Sequence, residues 1–365
     1  MKILVLAHEK DDHAAPVSWA LKEAGYQAAC WSGVSFTPQE QASLLLDEQP
    51  SIVLGPHCLE FGDAVWLRQP EQPAHDLDVP DAGRHAAVEE YISFFNSIAH
   101  VLETADLGIR CVNRYSASCL IRNKAVQLQL ARACGLRIPE TLMSNSPAAV
   151  RSFFESRNSA ICKPFSAHIW QQHGSQNLAV TGTFALSSED LPADAVLTYA
   201  PAIYQQRVAK QFDVRTVLMG QNMYSYAVHT ARNSLDWRHD ALRGSIDVQP
   251  IATPSDVEKG ILDLATRTGV CFGSLDFAVD AKGGWWFLEI NEQGQFLWLD
   301  EFVPDGSLQQ RFCVFITARG ESTEPLESRQ RLFPSFAEYR KSHAQEDKPN
   351  LTTVPPGSPC RSVEL

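Results

Sequence analysis

At 365 residues the chain is too long for one ordinary hydrophobic core and fits two or three domains. Hydrophobic residues make up 44% and charged residues 20%, with no apolar run of ~18 residues, so no membrane-spanning helix is expected and the chain reads as soluble and globular. A formal net charge of -12 argues against nucleic acid as the main partner, and nine cysteines with no CxxC pair fit buried thiols in a reducing compartment better than a disulfide framework.

The opening MKILVLA meets HEKDDH at once, too short an apolar stretch for a signal peptide, and a cytoplasmic location is expected. Lys2 to Ala7 reads as a strand, and the segment from His13 to Gly25 as an amphipathic helix with Pro16, Ala20 and Leu21 near one face. The pattern repeats loosely through Ile52 to Gly55 and Ala64 to Leu67, so the first 115 residues read as an open α/β layer. There is no GxGxxG after the first strand and no Walker A sequence, which leaves a dinucleotide site and a P-loop unsupported. A helix is predicted from Gly83 to Thr104, with Val88, Tyr91, Ile92, Phe95 and Ile98 as a core stripe. A second helical face carries Ile121, Ala125, Leu128 and Ala131, with Gly135 as its stop and Pro139 beyond.

Ala160 to Phe165 reads AICKPF, an apolar strand ending in Lys163, and a lysine so placed must find an anion or reach water. His168 and His173 follow, but no third ligand lies nearby in sequence and zinc is not expected. Asp213 and Arg215 share one face of a strand, and Arg238 returns in DWR. An amphipathic helix from Pro254 to Gly269 leads into GSLDFAVDAKGGWWFLEINEQGQFLW, whose alternation about Lys282-Gly283 predicts a β-hairpin. If Ala281 faces Gly284, then Asp280 faces Trp285, Ala278 faces Phe287, Asp276 faces Glu289 and Ser274 faces Asn291. Leu275, Phe277, Val279, Trp286, Leu288 and Ile290 then point to the core. Facing carboxylates stand roughly 5 Å apart at Cβ and repel unless something positive lies between them. Asp276, Glu289 and the amide oxygen of Asn291 form an all-oxygen set suited to Mg2+. A solvated sheet face is the bland alternative, and Trp285, Phe287 and Ala278 on the acidic face speak for a pocket. After a last helical stretch from Asp305 to Thr317, residues 319–365 read as a polar, disordered tail in which LFPSFAEY at 332–339 is a loosely packed apolar cluster.

LDFAVD followed by LEINEQGQFLW resembles the metal-binding end of ATP-grasp ligases, and more narrowly the ribosomal peptide maturases of the graspetide (microviridin synthetase) family. AVWLRQPEQP at 64–73, the asparagine-lysine helix from Asn113, GLRIPET, AICKPF and AIYQQRVAKQFDVR extend the resemblance over residues 1–318. It implies a pre-ATP-grasp α/β domain (1–115), a central ATP-grasp domain (116–200) and a C-terminal ATP-grasp domain with the metal site (201–318). It also implies that Lys124 and Lys163 hold ATP phosphates, that the loop SAHIWQQHGSQ closes over them, and that main chain at Gln206, Arg207 and Val208 holds adenine. Where the family more often has Gln-Glu, this chain has Gln205-Gln206, which leaves the ribose contact unassigned. Arg68 is open to two readings, a partner for a substrate carboxylate or a surface arginine, and Arg232 is not assigned. Arg215 and Arg238 are suited to hold phosphate and acyl oxygens while a phosphoryl group moves, with Asp213 orienting Arg215 or meeting the nucleophile.

The implied reaction uses ATP and Mg2+ to phosphorylate Asp or Glu side chains of a ribosomal precursor peptide, then joins them to Ser/Thr hydroxyls or Lys amines. Leader recognition and a homodimer come with it. A small-molecule or protein-tail carboxylate-amine ligase would share the nucleotide residues, and a non-catalytic ATP-binding regulator is the alternative of another class.

Overall fold

Ile3 to Ala7 are fully buried in the strand Lys2–Ala7, as a strand covered on both faces requires. In the computed structural model it lies inside a parallel sheet ordered Gln27–Trp31, Lys2–Ala7, Ala64–Gln69, Arg110–Val112, with the helix Ala14–Glu23 as the first crossover. The structure describes residues 1–33, 41–48, 50–69, 81–104, 107–155, 157, 159–165, 169–171, 178–180, 182–230, 234–241, 244–303, 307–318 and 329–343. His168, His173, Arg232, most of the expected closing loop and the chain after 343 lie outside them.

Ile52–Leu54 does not continue the parallel layer. It belongs to an antiparallel meander of Ala42–Leu45, Ser51–Leu54 and His57–Leu59. A parallel partner needs a crossover of a dozen or more residues, and the Gly55 turn, with φ of 57°, reverses the chain at once. The helix expected from Gly83 spans Asp81–Leu102; Val88 and Ile98 are buried, and Tyr91 and Phe95 pack against the core that Ile98 enters.

The middle of the chain forms an antiparallel sheet ordered Phe184–Leu186, Ala160–Lys163, Ala202–Gln206, Thr141–Ser144. Its core is small, built on Val150, Phe154, Leu197 and Tyr204. The C-terminal sheet, ordered Ile246–Ile251, Asn222–Thr230, Lys210–Met219, Phe272–Asp280, Trp285–Asn291, is antiparallel throughout. On one face, Val214, Leu218, Leu275, Phe277 and Val279 pack under the helices Lys124–Ala133 and Ser255–Thr268. Lys124–Ala133 thus joins the C-terminal core although it precedes the middle sheet in sequence.

The opposite face is divided. Val217, Met219 and Phe272 sink into a core shared with the first sheet and with Phe296 and Phe312, while Asp213 and Ala278, further along the same strands, face the middle sheet's side of the molecule. Arg215 and Asp276 stand at the boundary between the two halves. Asn113, just after the strand Arg110–Val112, ties the first sheet to the C-terminal one: its Nδ2 donates to the carbonyls of Phe272 (2.8 Å) and Glu292 (3.0 Å), and its Oδ1 accepts from the amides of Cys271 and Phe272 (2.8 and 2.9 Å).

Residues 329–343 correct the reading of LFPSFAEY as a loose appendage. Phe333 and Phe336 are 3% and 8% exposed and enter the first core. Phe333 stacks on Tyr26 and Tyr339 packs edge-on to Trp19. The helix Phe336–Ser342 starts with a capping box between Ser335 and Glu338, and Phe336 and Tyr339, three apart, share a face.

Candidate active site

The hairpin forms with Asp276 opposite Glu289 and Ser274 opposite Asn291, as the alternation predicts. Nearer the turn the expected register fails. Val279 faces Trp285, Ala278 faces Trp286 and Phe277 faces Phe287, so Leu288 is an extra, bulged residue. The physical reason is the loop. Asp280 N–H donates to the Gly284 carbonyl (3.0 Å), and the Asp280 carboxylate accepts from the amides of Lys282 and Gly284 (2.9 Å each). The loop therefore holds three residues, closed by Gly283 at a φ of 76°, and not two. The bulge at Leu288 absorbs the extra residue and returns Glu289 to Asp276.

That slip exchanges four side chains between the faces. Trp285 and Phe287, expected beside the acids, are buried with Phe277 in the core, where each ring contributes about 2–3 kcal/mol by burial. Trp286 and Leu288, expected in the core, leave it. The Trp286 indole donates to Asp280 (2.8 Å) and lies under Arg137, while Leu288 lines a cleft.

The cleft, of about 460 Å³, lies between the middle and C-terminal sheets. Ile161 and Gln205 line one side, Ala278 and Leu288 the other, and Gln206, Arg207 and Val208 run along it. Its size and mostly apolar walls suit a small flat ligand. The Gln206 N–H is already committed to the Glu140 carbonyl (2.8 Å), which leaves the main chain beyond it to face a ligand.

Past Leu288 the character changes from apolar to charged. Asp276 accepts from Arg215 Nη1 (2.8 Å) at one oxygen and from Arg238 Nη2 (3.0 Å) at the other. The same Arg238 nitrogen donates to Glu289 (3.2 Å), whose second oxygen accepts from Lys124 Nζ (3.0 Å). The positive group that the facing acids demand is thus a guanidinium. Lys124 opens its helix behind the Asn123 cap, and Gln127 pins that helix to the Ile290 amide at 3.0 Å. Lys163 Nζ donates to Gln205 Oε1 (3.2 Å), and Gln205 Nε2 donates to Thr141 (2.9 Å). Burial lowers the Lys163 pKa, and among the charged groups Glu289 opposes that most strongly.

Burial alone would raise Glu289, but Lys124, Arg238 and Lys163 together hold it down to about 2. Burial also works against the charge of Arg238, yet Asp276, Asp236 and Glu289 raise its pKa further. Asp213 goes the other way: burial pushes it up to about 6 against the pull of Lys210, which donates to it at 2.6 Å. Asp213 therefore rests on Lys210, and the expected orienting bond to Arg215 is supplied by Asp276 and by the Gln295 carbonyl (2.9 Å). Lys124, Lys163, Arg215 and Arg238 outnumber Asp276 and Glu289, so a chain of net charge -12 concentrates positive charge here.

Asn291 Oδ1 accepts from the Gln293 amide at 3.1 Å, and across from it Ser274 Oγ is buried without a partner among the described residues. No group of three His, Cys, Asp or Glu fit to hold a metal occurs among the described residues. Two carboxylates flanked by an amide oxygen and an unpaired hydroxyl are hard donors, which fits Mg2+ bound partly through phosphates rather than a closed protein cage.

Arg68 is neither a surface arginine nor open to a substrate. It is 2% exposed, donating to Asp11 (3.3 Å) and to the Gln293 carbonyl (3.0 Å). The sequence reading gives Gln205, Gln127 and Asn113 no such roles, since a neutral amide on an apolar strand or helix carries no local signal. Lys210, three residues before Asp213, would point to the opposite face of a regular strand, and the irregularity between Lys210 and Phe212 is what brings it round.

No family model matches the sequence, and no curated protein matches it. Solved structures do match over most of the chain. Macrocyclase MdnC from Microcystis aeruginosa MRC, bound with precursor peptide MdnA, is 25% identical with a TM-score of 0.73, covering 87% of this chain and 99% of that one. A RiPP-associated ATP-grasp ligase of Chryseobacterium gregarium, in complex with ADP and a leader and core peptide, is 22% identical at a TM-score of 0.73, covering 87% and 95%. The ATP-grasp ligase PsnB, complexed with a phosphomimetic minimal precursor, Mg and ADP, is 23% identical at 0.61, covering 82% and 92%. The chain thus shares its fold, an α/β layer followed by two ATP-grasp lobes, with these ATP-grasp ribosomal peptide maturases.

Proposed function

We propose that the protein is an ATP-dependent peptide macrocyclase acting on a ribosomally made precursor, in the cytoplasm and as a homodimer. The observation that carries this is a change of character along neighbouring strands: Ala278 and Leu288 line an apolar cleft with the Gln206–Val208 segment, and on the same two strands Asp276 and Glu289 are bridged by Arg238. Such a gradient matches a nucleotide, base at one end and phosphates at the other. That MdnC and the Chryseobacterium ligase were solved with their peptides supports a peptide as the acceptor. The domain limits at 115, 200 and 318 belong to the same proposal, with the helix Lys124–Ala133 crossing to the C-terminal core.

In this reading Lys124 and Lys163 hold the phosphates, and Arg215 and Arg238 receive the γ-phosphoryl group. A carboxylate oxygen of a peptide Asp or Glu attacks the γ-phosphorus as ADP leaves. A Ser or Thr hydroxyl, or a Lys amine, then attacks the carbonyl carbon of the acyl phosphate, loses its proton and expels inorganic phosphate. The difficulty is bringing two anions together, and preorganised cations offset it without reorganising during the reaction. Mg2+ held by Asp276, Glu289 and Asn291 would supply further charge neutralisation on the phosphate oxygens. Asp213 would take the nucleophile's proton, a role suited to a carboxylate that burial raises to about 6.

The test is to incubate the protein with ATP, Mg2+ and the short peptides encoded beside its gene that carry Ser/Thr and Asp/Glu. Loss of one water from the peptide per ring, with matching ADP release, is expected. ATP turnover without peptide, giving an amino-acid conjugate, would replace the macrocyclase reading with a small-molecule ligase.

A further inference from the structure

The segment after the acidic strand is held from both sides. On the site side, the Gln295 carbonyl accepts from Arg215 Nη2 at 2.9 Å. On the other, groups of the N-terminal layer grip its neighbours. Arg68 Nη1 donates to the Gln293 carbonyl (3.0 Å), and His13 Nε2 accepts from the amides of Phe296 (2.9 Å) and Leu297 (3.3 Å). Asp11 anchors the grip, accepting from Arg68 Nε (3.3 Å) and from the amides of His13 and Ala14 at the start of the helix Ala14–Glu23. His13 and Arg68 are both buried, so water does not compete for these bonds.

The chemistry needs the neutral imidazole. A nitrogen that accepts from two amides cannot carry a proton, so the proton sits on Nδ1, and the 3.4 Å approach of Arg68 Nη2 to Nδ1 is a contact between donors. Burial, and after it Arg68, holds the His13 pKa down to about 3, which keeps Nε2 an acceptor at any working pH. Among the described residues Arg215 in turn has two hydrogen-bond partners, Asp276 and the Gln295 carbonyl, and its buried Nε has none. A shift of that carbonyl therefore removes half of what aims the guanidinium.

We infer that His13 and Arg68 are positioning residues of the reaction, holding the Gln293–Leu297 segment so that its carbonyl at Gln295 fixes Arg215 toward the transferring phosphoryl group. This rests on the nucleotide reading of the cleft. It makes the N-terminal layer part of the catalytic apparatus and not only a neighbour of it.

The test compares affinities for ADP and for the non-hydrolysable imido analogue of ATP, both with Mg2+, by calorimetry on the full chain. Arg215→Ala is the reference: it should weaken the imido analogue about 100-fold and leave ADP within about twofold. His13→Leu, which removes the acceptor, should weaken the imido analogue about tenfold with ADP unchanged. His13→Gln, whose Oε1 can take the place of Nε2, should recover most of the loss. If His13→Leu does not fold, Arg68→Lys, which keeps the charge but not the fork, carries the same expectation. Equal weakening of both nucleotides, or none in a folded variant, overturns the inference. If Arg215→Ala itself leaves the ratio of the two affinities unchanged, the reading of the cleft fails instead.

Discussion

Asp213 and Glu289 stand on one face of one sheet, and their surroundings drive them in opposite directions. Glu289 lies among Lys124, Arg238 and Lys163, which overcome burial and keep it ionised, with a pKa of about 2. Asp213 is buried with one lysine beside it and with Asp276 and Asp236 as like charges, and its pKa is about 6. Two carboxylates pushed apart in this way can divide the work of a site, one as a permanent charge and one as an acceptor of protons. The difference arises from strand position. Glu289 sits where the helix Lys124–Ala133 and the strand Ala160–Lys163 both deliver a lysine, whereas Asp213 lies further along the face, where among the described residues Lys210 is its one hydrogen-bonded cation.

Removing the permanent charge should break the comparison most severely. Glu289→Gln keeps the shape but leaves Lys124 and Arg238 with one carboxylate fewer, and kcat for ADP release with peptide should fall about 100- to 1,000-fold. Circular dichroism should show an unchanged fold; turnover within about threefold of wild type would mean that Glu289 is not part of the chemistry. The linked stability effect has a definite sign. Because the folded pKa lies below the ordinary 4.5, the stabilisation by Glu289 is complete above pH 4.5 and fades as the pH falls toward about 2.

Asp213 gives the sharper and smaller test. If it accepts the nucleophile's proton, kcat should rise with pH through about 6 and level off above it. Asp213→Asn should lower the plateau about 100-fold and remove that acid limb from the pH profile. An intact limb in the variant would transfer the titration to another group.

Part of this arrangement is legible in the sequence. The alternation in LDFAVD and LEINE is enough to place Asp276 opposite Glu289, because side-chain period and core face agree over those residues. It is not enough for the inner half of the hairpin. A two-residue and a three-residue loop read alike in AKGG, and the choice rests on which amides the Asp280 carboxylate accepts. One slipped residue then carried Trp285, Phe287, Trp286 and Leu288 to the wrong faces, and the bulge that rescued Glu289 has no sequence mark of its own. Arg68 stays open between two readings in the sequence for a different reason: its partners Asp11 and the Gln293 carbonyl are 57 and 225 residues away. The Ser335–Glu338 capping box shows the converse, a readable local signal outweighed by the polar composition around it.

The two lysines offer the mildest perturbation of the charged cluster. Lys124 is paired with a carboxylate at 3.0 Å, whereas Lys163 is paired with the neutral Gln205 amide at 3.2 Å, in a position where burial already lowers its pKa. Lys163 is therefore the less satisfied of the two and should gain more from an incoming phosphate. Gln205→Leu removes its partner and frees the Thr141 hydroxyl as well. The lysine is then less firmly aimed, and ATP affinity should fall about tenfold, in line with one or two hydrogen bonds lost at a charged group. Gln205→Glu would give Lys163 an anion of its own and should weaken ATP as much or more, since that carboxylate competes with the phosphates. If both variants bind ATP as wild type does, Lys163 takes no part in holding it, and Lys124 is left as the sole lysine at that end of the cleft.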